Sequence, residues 1–231
     1  MFPIYDDIPT KRFPLITVII ISCNIIVFLW QSLIPNGHNI FVYFLGLIPY
    51  EVTHNMEIYA DGPALIYSTV FTSIFVHGSF LHLAGNMLFL WIFGNNVEDY
   101  FGRINFVIFY LICGIASAFA QVIININSTI PMIGASGAIA GTLGAYLVLY
   151  PRAKVNTIVI FGFFIRMIKI PATIVLGFWI IYQFFYGVSS LAARPGEGGT
   201  AWFAHIGGFI AGFLLVKLYK VITSSKIYRE D

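Results

Sequence analysis

The segment Gly134–Tyr146 reads GASGAIAGTLGAY and places four glycines in a strongly apolar setting. In water each glycine costs a helix about 1 kcal/mol relative to alanine, so a helix here needs another source of stability. Inside a membrane, small residues allow two helices to approach backbone to backbone. The segment therefore predicts a tightly packed membrane helix. It also raises the question of what Ser136 does at the start of that helix.

The composition of the whole chain is typical of a membrane protein. Of its 231 residues, 59% are hydrophobic and 10% are charged, and the mean hydropathy is +0.88. Ordinary soluble domains carry about 25% charged residues. The two cysteines, Cys23 and Cys113, lie in apolar runs, so the sequence implies no disulfide framework. We expect the lipid bilayer as a partner, and we expect neither a nucleic-acid partner nor a cofactor.

Six apolar stretches approach the ~20 residues that a helix needs to cross a bilayer. They lie at about 14–34, 80–97, 104–125, 134–150, 170–191 and 201–220. A further apolar run at 155–168 is interrupted by Arg166 and is too short to cross as a helix, so we expect it at the membrane interface. The sequence thus predicts an all-α polytopic membrane protein, with one transmembrane domain over residues 1–231 and a short fourth span.

Lysine and arginine are distributed unevenly between the two sides of this bundle. Six spans place both termini on one side, and of the twelve basic residues all but Arg194 fall on that side. Basic residues accumulate in cytoplasmic loops. We therefore predict cytoplasmic termini and an external first loop at about 35–79.

Four polar side chains share one depth in this arrangement. They are His82 and Asn86 on span two, Ser136 on span four and His205 on span six. All three spans run inward, so these side chains lie in the outer half of the membrane. Span four rises only about 25 Å against a hydrocarbon core of ~30 Å. Its outer end is therefore expected to lie at the floor of a water-filled pit.

Small residues form matching faces on two of the spans. The candidates for close helix packing are Gly137 and Gly141 on span four and Gly208 and Gly212 on span six. Such faces let membrane helices approach closely. We expect this contact to bring Ser136 within hydrogen-bond reach of His205.

These residues alone leave an enzyme and a conduction or transport pathway open. A serine in a membrane helix commonly bonds the backbone one turn back, whereas an ionisable residue there usually has a function. A transporter is expected to show carboxylates in mid-membrane and internal repeats, which this sequence lacks. His77, His82 and His205 lack the spacing and the companion ligands of a zinc site, so no metal is expected. Because no carboxylate is placed to orient His205, any serine chemistry would use a Ser–His dyad.

Short motifs follow one another in a fixed order along the spans. They are His82-xxx-Asn86 and Glu98-xxx-Gly102 in span two, Gly134-Ala135-Ser136-Gly137 at the start of span four, and Ala204-His205 with Gly208-xxx-Gly212 in span six. This ordered set resembles the rhomboid family of intramembrane serine proteases. The resemblance covers the six-helix core from Leu15 to Tyr219.

The resemblance implies a catalytic role for each polar position. Ser136 would be the nucleophile and His205 its general base, while His82 and Asn86 would donate to the oxyanion together with the Ser136 backbone N–H. Phe178 and Trp179 on span five resemble a lateral gate for substrates. The substrates implied are transmembrane proteins cut near the outer ends of their spans, in a site that opens to the exterior.

Two positions depart from the rhomboid pattern. Many members carry a Trp-Arg pair in the first loop where this chain has Ser68-Thr69. Some members also have a tyrosine that packs on the catalytic histidine, and Ala140 stands at that position here. The alternative function is a non-catalytic one, in which a rhomboid-like protein binds and escorts transmembrane segments. The sequence leaves the substrate and the oligomeric state open.

Overall fold

Helices make up most of the fold, and a small sheet lies at one end of them. The computed structural model describes residues 2–59, 65–162, 164–192 and 200–227. The helices are α1 Leu15–Leu33, α2 Gly37–Leu45, α3 Pro49–His54, α4 Thr69–Thr72, α5 Phe80–Phe89, α6 Asn95–Phe101, α7 Arg103–Ile124, α8 Ser136–Leu149, α9 Ala172–Ser190 and α10 Trp202–Ile227. The strands are β1 Phe2–Asp6, β2 Lys154–Phe161 and β3 Phe164–Pro171. A π-helical turn, Leu90–Gly94, joins α5 to α6.

The predicted spans correspond closely to helices. Over the described residues, α1, α7, α9 and the Trp202–Thr223 part of α10 are each long and apolar enough to cross a membrane. Span two, Phe80–Phe101, passes the same test together with the preceding segment Ile66–Phe75, at a bend of 79°. The polytopic helical class is therefore confirmed. The count of six stays a prediction, since α8 has only 14 residues and is too short by itself.

The shortest predicted span is also the most enclosed. Every residue of α8 from Gly137 to Tyr146 is buried, and the helix packs against α7, α9 and α10 and against the π-helical turn. Its enclosure explains why its sequence shows almost no polar face. Because α8 is shorter than its neighbours, the space beyond its N-terminus is left open, and Ser136 is the first residue of the helix there.

The run at 155–168 forms strands. In the structure β2 and β3 pair antiparallel around Gly162, and β1 adds to β2 on the other side, giving the order β1-β2-β3. This sheet differs from the expectation above, which rested only on the run being too short for a membrane-crossing helix. Its enrichment in valine, isoleucine and threonine is the signal that could have indicated strands.

Two carboxylates, the buried Glu98 and the half-buried Asp6, hold separate elements together at the sheet end of the bundle. Glu98 accepts hydrogen bonds from the backbone N–H groups of Ile16 (2.9 Å) and Thr17 (2.8 Å) and from the Thr17 hydroxyl (2.8 Å). It thereby satisfies two of the backbone donors at the N-terminus of α1 that lack intrahelical partners. Asp6 accepts from Asn96 (2.6 Å) and from the Tyr146 hydroxyl, which joins β1 to α6 and α8.

The predicted external loop contains short helices between α1 and α5. They are α2, α3 and α4, and the strand-like bridge Leu47–Met132 ties this region to the segment before α8. Residues 60–64 of this loop lie outside the described part of the chain, as does Arg194. The side of the membrane on which the loop lies stays a prediction.

Candidate functional site

Ser136 and His205 meet across the contact between α8 and α10. The Ser136 hydroxyl oxygen lies 2.7 Å from His205 Nε2. Ser136 begins α8, and the preceding Gly134 has φ +112°, a conformation that side-chain-bearing residues rarely adopt. His205 lies in the first turn of α10 and is 8% exposed. Residues that are 69 positions apart in the sequence therefore form one hydrogen-bonded pair.

Glycines account for the closeness of α8 and α10. A Cβ atom added to Gly208 would overlap the carbonyl oxygen of Gly137, and one added to Gly212 would overlap that of Gly141. The two backbones are therefore in direct contact at points one helical turn apart. On its opposite flank α8 packs as tightly on α7, where a Cβ atom on Gly137 would overlap Ser117. Any larger residue at these positions requires the helices to separate.

A large cavity opens beyond the N-terminus of α8. Its volume is about 1420 Å³, and Ser136 and His205 both line it. Further polar groups in its wall come from α5, α7 and the segment before α8, including Asn86, Gln121 and Asn125. Polar groups at membrane depth are tolerated where they face water. The cavity is large enough to hold many water molecules.

His82 and Asn86 lie on the wall of this cavity, next to the chain that enters α8. An imagined Cβ atom on Gly134 would lie 2.7 Å from His82 Nε2 and 3.4 Å from Asn86 Nδ2. Both side chains project from α5, one turn apart on the same face. Two potential N–H donors thus converge on one point close to Ser136.

His77 orients the Asn86 amide. The His77 Nδ1 atom lies 3.3 Å from the Phe75 carbonyl oxygen, which can only accept a hydrogen bond, so this nitrogen carries the ring proton. His77 Nε2 is then an acceptor, and Asn86 Nδ2 donates to it at 2.9 Å. Gln31 holds His77 in place by donating to its backbone carbonyl at 2.7 Å. One Asn86 N–H bond is therefore committed to His77 and the second remains free to donate elsewhere.

His205 has neighbours on α9 as well. Its Nδ1 atom lies 2.8 Å from Gln183 Oε1. The Trp179 ring on α9 lies 5.8 Å from the His205 ring, centroid to centroid. The ring of Trp202, which begins α10, lies 6.4 Å from the His205 ring and nearly perpendicular to it. The side chains of the two gate candidates on α9 thus point in different directions. Trp179 faces the histidine, whereas Phe178 is 64% exposed on the outer surface of the helix.

Comparison with known proteins identifies the family. A family profile described as Rhomboid domain matches residues 66–221. The chain belongs to the rhomboid family. The matched range contains His82, Asn86, Ser136 and His205, together with the whole of α5 and α8 and most of α10.

Three curated proteins illustrate the similarity within this family. Rhomboid protein 1, mitochondrial, of Saccharomyces cerevisiae is 30% identical over 150 residues, which are 63% of this chain and 40% of the yeast protein. Rhomboid protease GluP of Bacillus subtilis is 35% identical over 144 residues, 62% of this chain and 24% of that protein. Presenilin-associated rhomboid-like protein, mitochondrial, of Bos taurus is 30% identical over 124 residues, 52% of this chain and 33% of that protein. This rhomboid chain thus spans less than half the length of each of these relatives.

At the positions that depart from the rhomboid pattern, Ser68 and Thr69 make local hydrogen bonds and Ala140 lies in a close helix contact. Ser68 donates to the Leu65 carbonyl (2.7 Å) and Thr69 to that of Ile66 (2.5 Å), so both hydroxyls are used within their own turn. Ala140 is fully buried on α8, at van der Waals distance from where a Cβ atom on Gly208 would lie. The space that a tyrosine would need there is occupied by the close contact of α8 with α10.

The structure brings the four polar positions predicted from the sequence to the wall of one cavity, and it adds two supports for them that were not predicted. These supports are Gln183 and His77, and the sequence predicted an orienting role for neither. Neither contact has a sequence signal, because the partners lie 22 and 9 residues apart. As for metals, the described residues contain no group of three histidine, cysteine or acidic side chains that could hold an ion.

Proposed function

We propose that this rhomboid is an intramembrane serine endopeptidase that uses a Ser136–His205 dyad. The observation that carries the proposal is the 2.7 Å contact between the Ser136 hydroxyl and His205 Nε2 at a large polar-lined cavity. A nucleophile within hydrogen-bond distance of a base is the arrangement that covalent catalysis requires. The Bacillus subtilis relative is named a rhomboid protease, which supports the same activity.

In the proposed reaction the Ser136 oxygen attacks the carbonyl carbon of the scissile peptide bond. His205 Nε2 takes the hydroxyl proton during the attack and then gives it to the leaving amine. The peptide C–N bond breaks and an ester to Ser136 remains. A water molecule from the cavity hydrolyses that ester, with His205 again accepting a proton, and the serine is restored.

The hydrogen-bond donors around Gly134 would stabilise the oxyanion. The oxygen of the tetrahedral intermediate would accept from the Ser136 backbone N–H, from His82 Nε2 and from the second N–H of Asn86. Donors preorganised around a developing charge in a site of low dielectric constant are worth about 2.7–4 kcal/mol each. The positive end of the α8 dipole adds a favourable field, because this oxygen would lie over the helix N-terminus.

Transmembrane segments of other proteins are the proposed substrates. A helix in lipid keeps its carbonyl groups hydrogen-bonded, so a substrate must unwind locally before Ser136 can attack it. Substrates should therefore carry glycine, proline or polar residues near the outer ends of their spans. We propose that they reach the cavity past α9, with Phe178 and Trp179 as gate residues.

Orientation follows from the basic residues. We place both termini on the cytoplasmic side and the cavity opening on the exterior side, because lysine and arginine accumulate in cytoplasmic segments. Those in the described residues are Lys11, Arg12, Arg103, Arg152, Lys154, Arg166, Lys169, Lys217, Lys220 and Lys226. All of them belong to the termini or to segments that adjoin the inner ends of the spans in this arrangement.

The direct test reconstitutes the protein in liposomes with a single-span protein that has a glycine-rich outer end. We expect the wild type to cut the outer part of that span and Ser136→Ala to cut nothing, although its fold is retained. A serine-reactive fluorophosphonate should label the wild type and not the variant. If the folded wild type neither cuts nor becomes labelled, but still co-purifies with the span, the protein binds transmembrane segments without cleaving them.

A further inference from the structure

The His205 ring has a second polar partner, which a two-residue dyad does not require. Gln183 Oε1 lies 2.8 Å from His205 Nδ1, on the side of the ring away from Ser136. Both side chains are enclosed, with 5% of Gln183 and 8% of His205 exposed. Across the described residues, the ring also lies near Trp179 and Trp202, and His82 is a titratable group in the wall of the same cavity.

The contact with Gln183 selects one form of the imidazole. An amide oxygen has no proton to give, so His205 Nδ1 must carry the proton of this hydrogen bond. In the neutral ring Nε2 is then unprotonated and accepts from the Ser136 hydroxyl. The opposite tautomer would leave Gln183 Oε1 facing a lone pair and would direct an N–H at the nucleophile. Only the first form can take a proton from Ser136.

We propose that Gln183 is a positioning residue that holds His205 in the tautomer and orientation needed to act as general base for Ser136. The inference rests on the protease function proposed above. Gln183 supplies the acceptor that an aspartate supplies in a catalytic triad. It also answers how His205 is oriented in a chain that has Ala140 at the position of an orienting tyrosine.

An amide suits this location better than a carboxylate. Burying an ionised carboxylate costs several kcal/mol unless further hydrogen bonds or a counter-charge compensate. Gln183 lies on the buried side of α9 and is 5% exposed, whereas its chain neighbours Tyr182 and Phe184 are 42% and 58% exposed. A neutral acceptor fixes the tautomer at this site without that cost.

The location of Gln183 links the base to the proposed gate. Trp179 and Gln183 are four residues apart, so they lie on the same face of α9. Any displacement of α9 that widens the gate also withdraws the acceptor from His205. His205 is then held in the tautomer that accepts the Ser136 proton only while α9 packs against α10. Hydrolysis is therefore restricted to the arrangement in which the gate is closed.

The tautomer can be measured without any cleavage. Histidine labelled with nitrogen-15 is introduced into the detergent-solubilised protein, and the His205 signals are assigned by their loss in His205→Ala. We expect a protonated Nδ1 and an unprotonated Nε2 in the wild type and in Gln183→Glu. In Gln183→Met, which keeps the length of the side chain but has no oxygen, the Nε2–H form should appear.

The pH–rate profile gives a second measurement, which would not change if Gln183 only packed against its neighbours. Gln183→Met should lower kcat about tenfold, the worth of one net hydrogen bond, and move the acid limb of the pH–rate profile to lower pH. Gln183→Glu should retain activity and move that limb to higher pH by about one unit, because a carboxylate favours the imidazolium. Ile181→Ala, on the exposed face of α9, serves as the control and should leave the limb in place.

Two results would overturn the proposal. One is a Gln183→Met protein that keeps both the tautomer and the rate of the wild type. The other is an equal loss of rate in the Met and Glu variants with the acid limb unmoved, which would mean that Gln183 only packs. A wild type that shows the Nδ1–H tautomer but never cleaves would instead refute the protease function and leave the positioning contact standing.

Discussion

Gly134→Ala tests whether the oxyanion is bound where His82 and Asn86 converge. The added methyl carbon would lie 2.7 Å from His82 Nε2 and 3.4 Å from Asn86 Nδ2. An oxyanion bound by these donors would lie 2.7–3.1 Å from each nitrogen, so the methyl group would occupy nearly the same point. The substitution should therefore exclude the oxygen from both side-chain donors and leave only the Ser136 N–H.

The expected magnitude follows from the loss of those donors. Removal of one oxyanion donor typically lowers kcat by about 10²–10³-fold, so Gly134→Ala should lose at least about 10³-fold. The loss should appear in kcat with little change in KM, because the interaction is made only in the transition state. The assay is cleavage of the single-span substrate in liposomes, with the kinetic constants normalised to folded protein.

Backbone strain is the competing explanation, and the chain offers a matched control for it. Gly134 has φ +112°, so alanine there costs about 1–3 kcal/mol of strain irrespective of the donors. Gly102 also has a positive φ, +76°, but a Cβ atom on it would meet open space. Gly102→Ala should thus lower the unfolding temperature without the kinetic defect. If the kcat of Gly134→Ala stays within about tenfold of the control, the oxyanion is not bound at this point.

Three further substitutions address the donors, the helix contact and the α1 cap. Asn86→Ala should lower kcat about 10²–10³-fold with an unchanged fold, and an unchanged rate in the cleavage assay would exclude Asn86 as a donor. Gly208→Val should separate α8 from α10 by at least about 1 Å and destabilise the protein, as judged by thermal unfolding in detergent. Gly177→Val, where a Cβ atom would meet open space, should not; equal destabilisation would show that the close contact is unimportant. Glu98→Ala should cost about 3 kcal/mol or more of unfolding free energy, because it leaves three donors near the start of α1 without their acceptor. Asp99→Ala, which removes a solvent-exposed hydrogen bond to the Lys11 backbone N–H, is its control, and similar losses in both would refute the capping role.

Much of this architecture could be predicted because a membrane restricts the length and the polarity of the helices that cross it. Spans must be long and apolar, so α1, α7 and α9 were located to within two residues at each end. The small residues of α8 predicted close packing, and the structure places Gly137 against Gly208 as expected. The strands β2 and β3 were missed, since a membrane surface accepts short apolar runs in more than one conformation and length alone cannot separate them.

The sequence by itself determined the class of the protein and the set of polar groups from which a site could be built. Ser136 and His205 stand out because placing a polar side chain inside an apolar span costs free energy, and such residues usually have a function. Only the tertiary structure decided how they are supported. Gln183 and His77 become orienting groups through contacts between elements, and the direction of a hydrogen bond across a helix interface is set by three-dimensional packing. No local pattern along the chain encodes that direction, so it could be read only from the folded molecule.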